Sequence, residues 1–133
     1  MKLGFFTSVD VYIKLFKNVI EITRLDTGES IKEKAIKNFS NNKLVFAEFE
    51  NGEVSIKSVL NTLFKNEFKF PPTLNTIIQV IELNEEELSS VEERALIDSC
   101  NHANSKDTIV IKHNRPISNS QALDMLKSKK RVK

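Results

Sequence analysis

The stretch "SVEERALIDSCNHA", Ser90–Ala103, gathers the residue types that carry chemistry: the carboxylates Glu92, Glu93 and Asp98, a thiol at Cys100 and an imidazole at His102. A thiolate becomes a nucleophile when a cation or a base lies beside it. A zinc ion takes Cys and His together, in sets of three or four. The spacing serves neither chemistry. Two positions along a helix turn the side chain through about 200°, so Cys100 and His102 face apart. One Cys and two His residues in the whole chain do not make a structural zinc set. Cys100 instead falls at helical spacing with Leu88, Val91, Ala95, Leu96, Ser99 and Ala103. It is expected to lie buried in that apolar stripe, a small hydrophobe with a raised thiol pKa and little reactivity.

The remaining chemistry-bearing residues are equally scattered. Glu85, Glu86 and Glu87 precede the helix, where acids stabilise the positive end of the macrodipole. Glu92, Glu93, Arg94 and Asp98 are expected on its solvated face. His113 ends an extended segment, where an edge or surface position is expected. Two-metal enzymes hold their ions with several acids at strand ends. Asp10 is the one acid well placed on the first strand, and Asp107 and Glu82 are its weak supplements. No nucleophile elbow, P-loop or dinucleotide fingerprint occurs. With 3 Gly in the chain, phosphate-cradling loops are scarce from the outset. No residue is therefore assigned as catalytic, cofactor-binding or metal-ligating, and the chain is not expected to be an enzyme.

The elements that would position these groups follow from periodicity. "SVDVYIKL" alternates, with Val9, Val11, Ile13 and Leu15 on one side and Asp10, Tyr12 and Lys14 on the other: a strand with a buried face. "NVIEITRL" is its hairpin partner after a turn near Phe16–Asn18. "DTGE" at Asp26–Glu29 is a second turn, because Gly28 tolerates positive φ. "SIKEKAIKNF" reads as a third strand, although Lys, Glu and Ala favour helix. "KLVFAEF" is a short extended piece closed by a turn at Glu50–Gly52. Ile56, Val59, Leu60, Leu63 and Phe64 then give a helix over about Val54–Asn66, stopped before Pro71 and Pro72. The nearly continuous, β-branched "NTIIQVIEL" predicts a central strand covered on both faces. A long helix follows, capped by Asn84 or Ser90 with Glu87 or Glu93 as capping-box partner. "TIVIKH" is another buried strand. Pro116 opens a last helix through Ala122, Leu123, Met125 and Leu126. The order is mixed α/β, β-β-β-α-β-α-β-α, in one domain over residues 1–126.

Composition narrows the class. The chain has 133 residues, the size of one domain, and 40% of them are hydrophobic. The net charge is only +2, which argues against a dedicated nucleic-acid binder. Lys127, Lys129, Lys130, Arg131 and Lys133 concentrate positive charge at the end and leave the body mildly acidic. Residues 127–133 are expected to be a disordered basic tail, capable of weak contact with anionic lipid or acidic protein. Phe5 and Phe6 could add an apolar insertion but are expected under the sheet. No apolar run approaches the roughly 20 residues of a membrane span. The polar-broken start is unlike a secretory signal, and a lone cysteine suits a reducing, cytoplasmic setting.

Three segments together resemble one family. "LVFAEFENGEVSIKSVLNTLF", "TIIQVIEL" and "SVEERALIDSCNHANSKDTIVIKH" are similar, in pattern and order, to the first half of bacterial actin-like MreB proteins. Val91, Glu92, Arg94, Ala95, Ala103 and Lys106 stand at matching places. "SVDVYIKLFKNVIEITRL" matches the family's opening hairpin in placement. The resemblance runs from about Ser8 to Leu126. It implies the ribonuclease-H-like fold of actin subdomain IA and a cytoskeletal or cell-shape setting. It also implies what is absent. The family's first phosphate loop, Asp-x-Gly-Thr, would fall near Tyr12–Asn18, where this chain reads "YIKLFKN" without glycine. Its Glu-Glu-Pro after the last strand is replaced by Lys112 and His113, with Pro116 displaced. The outer subdomain shrinks to about Ser40–Lys43, and the second half with the other phosphate loop has no counterpart. The expected role is therefore a non-enzymatic module without cofactor. It would act by contact with a protein partner or by self-association through a strand edge or helix face.

Overall fold

The computed structural model describes residues 8–41, 44–65, 72–82 and 88–131. β1 (Ser8–Phe16) and β2 (Val19–Arg24) form an antiparallel hairpin, and β3 (Ser30–Lys34) pairs with β2. After helix α1 (Phe49–Phe64), β4 (Thr73–Val80) returns parallel to β1. Helix α2 (Ser90–His102) leads to β5 (Ser105–Ile111), parallel to β4, and α3 (Asn119–Arg131) follows. The result is a mixed α/β fold with one five-stranded sheet ordered β3-β2-β1-β4-β5.

Strand alternation sorts the side chains into two cores. Val9, Val11, Ile13 and Leu15 of β1 join Ile20, Ile22, Leu74 and Ile78 under α1 and α2. On the other face, Tyr12, Leu25, Ile77 and Ile111 meet Ala122 and Leu126 of α3. Every residue of β4 from Leu74 to Val80 is buried, as a strand flanked on both edges and covered on both faces must be. Each Val, Leu or Ile so enclosed contributes about 1.5–3 kcal/mol. The two cores, rather than helix propensity, therefore hold α1–α3 in place.

Asn18 makes the β1–β2 turn at φ 54°, a conformation Asn adopts more readily than most side chains. Its carboxamide oxygen accepts the backbone N–H groups of Phe39 (2.9 Å) and Ser40 (2.8 Å). Its own N–H donates to Ser40 Oγ at 2.9 Å. One turn residue thus fixes the entry to the long connection before α1.

Four boundaries differ from the sequence expectation, each for a local reason. Helix α1 begins at Phe49, not Val54, and Glu50–Gly52 is its first turn rather than a strand-ending turn. Gly52 stands there because the ring of Phe46 lies on it: a Cβ would sit 2.1 Å from Phe46 Cε1. "KLVFAEF" accordingly forms no strand among its described residues, and Phe46 is packed between Phe39 and Phe49. The α2 cap is Ser89, not Ser90, with Glu92 completing the capping box; Asn84–Glu87 lie outside the described residues. That box turns Glu92 inward, 5% exposed, while Val91 is 67% exposed, so the two exchange their expected faces. Helix α3 begins after Ser118, whose hydroxyl accepts the Gln121 N–H at 3.1 Å. Pro116 precedes it, and the helix continues through Lys127 to Arg131, so most of the segment expected as a disordered tail is helical.

Candidate functional site

Two groups of polar side chains stand on the α3 face of the sheet, one at each end of β4; a third, Thr76, Ser105 and Thr108, is hydrogen-bonded on the opposite face. The first lies at the start of β1, β4 and β5. The β4–β5 register slips at Leu74/Asn75, which brings Asp107 alongside Asn75, and Asn75 in turn pairs with Asp10. The buried Asn75 donates its amide to Asp10 Oδ1 at 3.0 Å. Two carboxylates therefore flank a carboxamide across three neighbouring strands. Glu82, the third acid weighed for a metal site, is far from them. It follows the other end of β4, about 20 Å along the strand, and accepts the Lys17 N–H at 3.0 Å. Among the described residues, no group of three or more His, Cys, Asp and Glu is placed to hold a metal ion.

The second row is built on Tyr12 and Gln79. The Tyr12 hydroxyl donates to Gln79 Oε1 and accepts the Ile117 N–H at 3.2 Å. Gln79, fully buried, donates its amide to the carbonyls of His113 (3.0 Å) and Arg115 (2.8 Å). The segment between β5 and α3 is thereby fastened over the sheet by two side chains from its centre. Burial raises the Tyr12 pKa, the Ile117 N–H opposes this, and the charge of Glu21 adds to it, so the phenol stays protonated as the network requires. The side chain of exposed His113 accepts the Arg115 N–H at 3.1 Å, and its carbonyl belongs to the Gln79 latch.

Residues of the opposite face have packing roles. Cys100 is 2% exposed beneath α2, and burial pushes its thiol up to about 12 despite a hydrogen bond with Thr108. His102 points away, 63% exposed, its Nδ1 2.7 Å from Glu53 Oε1 on α1. The expected separation of thiol and imidazole is therefore observed. Glu93 reaches Lys112 at 3.5 Å, and Asp98 lies 3.6 Å from Arg94 on the outside of α2. Arg24 is buried over the Phe64 ring and holds Asp26 through Nε (3.1 Å) and Nη2 (2.7 Å). These hydrogen bonds outweigh burial and lower the Asp26 pKa.

Glu85, Glu86, Glu87, Phe5, Phe6 and Lys133 lie outside the described residues. Among the described residues, no helix is long and apolar enough to cross a membrane. Sequence reasoning passed over the Tyr12–Gln79 latch, the Asn18 brace and the Arg24–Asp26 pair. The signal for the first was present: a glutamine inside a central strand covered on both faces has to find partners for a buried amide. No protein-family model matches this chain, and no curated protein matches it.

Proposed function

We propose that this chain is a non-enzymatic protein-interaction module, a relative of the ribonuclease-H-like subdomain IA of MreB-type actins. The strand order β3-β2-β1-β4-β5, with α1 and α2 on one face and α3 on the other, supports the fold part of this reading. The sequence resemblance over Ser8–Leu126 supports the family part and, with it, a link to a cytoskeletal or cell-shape partner.

The observation that carries the non-enzymatic reading is the β1–β2 turn. A phosphate loop needs backbone N–H groups free to face the ligand and glycine for close approach. Here Lys17 and Asn18 close the hairpin directly from Phe16 to Val19. The Lys17 N–H is bound to Glu82, the Asn18 N–H to Ser40, and the Asn18 carboxamide to Phe39 and Ser40. The turn is occupied in bracing its own fold.

A small metal-dependent enzyme on the same fold is the second reading, and the Asp10–Asn75–Asp107 row is what favours it. It is weaker, because Asn75 donates its amide to Asp10 and adds no negative charge between the two carboxylates. A membrane-surface adaptor using the basic end rests on charge alone. Affinity capture from native lysate with the tagged full chain tests the leading reading. It should retain a defined protein in near-stoichiometric yield, this chain itself included. Recovery of nothing above a mock column would remove the interaction role.

A further inference from the structure

Resting on the reading of this chain as an interaction module, we propose that the sheet face formed by β1, β2 and β3 on the α3 side is its contact surface, and that the partner is an acidic, extended segment of another protein.

Strand alternation and register build this face. Ile13, Leu15, Ile20, Ile22 and Ile31 point into the α1–α2 core, so their neighbours along each strand point the other way. The pairing of the three strands sets Lys14, Glu21 and Lys32 in one row across the sheet, and Phe16, Val19 and Lys34 in the next. Helix α3 packs on this side against β1 and β4, where Tyr12 joins its core. The two rows reach solvent: Lys32 and Lys34 are exposed, and Lys14, Phe16, Val19 and Glu21 are half-buried.

The face is positive on a body that is mildly acidic. Three lysines stand against one glutamate, Glu21, which lies 3.7 Å from Lys14 Nζ. At the adjoining hairpin turn the charges of Lys17 and Glu82 offset each other, and the Lys17 N–H holds Glu82. Lysines on an edge strand also discourage sheet extension, but Lys14 is on β1, inside the sheet, where that purpose has no use. A surface field of this sign attracts anions.

The surroundings select among anions. A single-stranded nucleic acid needs open aromatic faces for its bases. Here Lys32 Nζ caps the Phe16 ring at 4.5 Å, and Lys14 Nζ stands 5.0 Å from the Tyr12 centroid. A membrane surface needs large apolar side chains to insert. The exposed ones among the described residues, Ile36, Leu44, Phe49, Val54 and Val91, are on α1, α2 or the connection before α1. An acidic protein segment fits better. Lys32 and Lys34 are two residues apart on one strand, about 7 Å, the period at which an extended chain presents alternate side chains. Asp or Glu at alternate positions would meet both, and Lys14, two strands over at about 10 Å, would receive a further carboxylate.

Fluorescence anisotropy of a labelled peptide alternating Glu and Ser, titrated with the full chain at about 0.05 and 0.3 M salt, is the test. Binding should be saturable and weaken as salt rises. Lys32→Gln with Lys34→Gln should weaken it roughly tenfold, the loss of two surface ion pairs. Lys106→Gln with Lys127→Gln, exposed lysines elsewhere with the same change in net charge, should leave it unaltered. Because the β3 changes could disturb folding, Glu21→Gln supplies the second arm: it should tighten binding, opposite in sign to any loss of structure. No saturable binding, equal losses in the two double variants, or binding that Glu21→Gln fails to tighten overturns the proposal. Tighter binding of oligothymidylate or of phosphatidylserine vesicles than of the peptide overturns it as well. If the peptide arm fails while the full chain still captures a protein from lysate, this face is wrong and the interaction role stands. Capture of nothing removes the interaction role itself.

Discussion

The ring of Phe46 lies so close over Gly52 that a Cβ at Gly52 would sit 2.1 Å from Phe46 Cε1. Gly52 is inside helix α1 and has no need of a left-handed conformation. Gly→Ala in a helix ordinarily stabilises by about 0.5–1 kcal/mol. Here the added methyl must displace a buried ring, and overpacking of that kind costs about 1–3 kcal/mol. Gly52→Ala is therefore expected to lower the urea midpoint. Combined with Phe46→Leu, it should cost less than the two separate losses, because the smaller side chain gives back the space.

The Tyr12–Gln79 latch makes a second prediction. Gln79→Leu keeps the volume roughly constant and leaves the Tyr12 hydroxyl and the carbonyls of His113 and Arg115 without their amide partner. Buried groups orphaned in this way cost about 1–3 kcal/mol each when water cannot replace the partner. A loss of about 2–3 kcal/mol is expected in denaturant titration, with amide exchange accelerated first at Ile117. Unchanged protection there would contradict a fastening role.

Cys100 should behave as an inert core atom. With its thiol pushed up to about 12 and the side chain 2% exposed, labelling by a maleimide in native buffer should proceed only as fast as the protein opens. Cys100→Asp should cost several kcal/mol, because an unpaired buried carboxylate has nothing to offset its desolvation. Labelling in buffer at the rate seen in denaturant would refute the burial.

Acid should weaken the fold through Asp26 and Glu53. The Asp26 pKa is lowered by its hydrogen bonds from Arg24, against burial. Burial raises that of Glu53, but hydrogen bonds from His102 and Lys57 more than offset it. For a carboxylate depressed in the folded state, the stabilisation is complete above the unfolded pKa and is lost as pH falls through the folded one. Both contributions are thus present at neutral pH and disappear below the ordinary carboxylate range, about pH 4. Asp26→Asn should cost about 1–2 kcal/mol at pH 7, at the low end for a charged hydrogen bond because Asp26 is 44% exposed. The difference from wild type should shrink on acidification. A difference that grows toward low pH would reverse the assignment.

The strands and helices were legible because their signal is local: alternation in Val9–Leu15, helical spacing from Ile56 to Phe64, and the β-branched residues Thr76, Ile77, Ile78 and Val80 in β4. The faces of α2 were less legible. A capping box turns Glu92 into the fold and Val91 out of it, and nothing in the apolar stripe announces that exchange. Gly52 was misread for a related reason. Its role is set by Phe46, and glycine chosen for close packing looks in sequence like glycine chosen for a turn. The polar rows of the α3 face depend on strand register, above all the slip that brings Asp107 to Asn75, which appears only once the sheet is assembled.

The central claim is that the fold, with its β1–β2 turn spent on Glu82, Ser40 and Phe39, serves protein contact and not nucleotide chemistry. Isothermal titration of the full chain with Mg-ATP tests it most directly. The account predicts no saturable heat. A dissociation constant tighter than about 100 μM, roughly −5.5 kcal/mol, would contradict it.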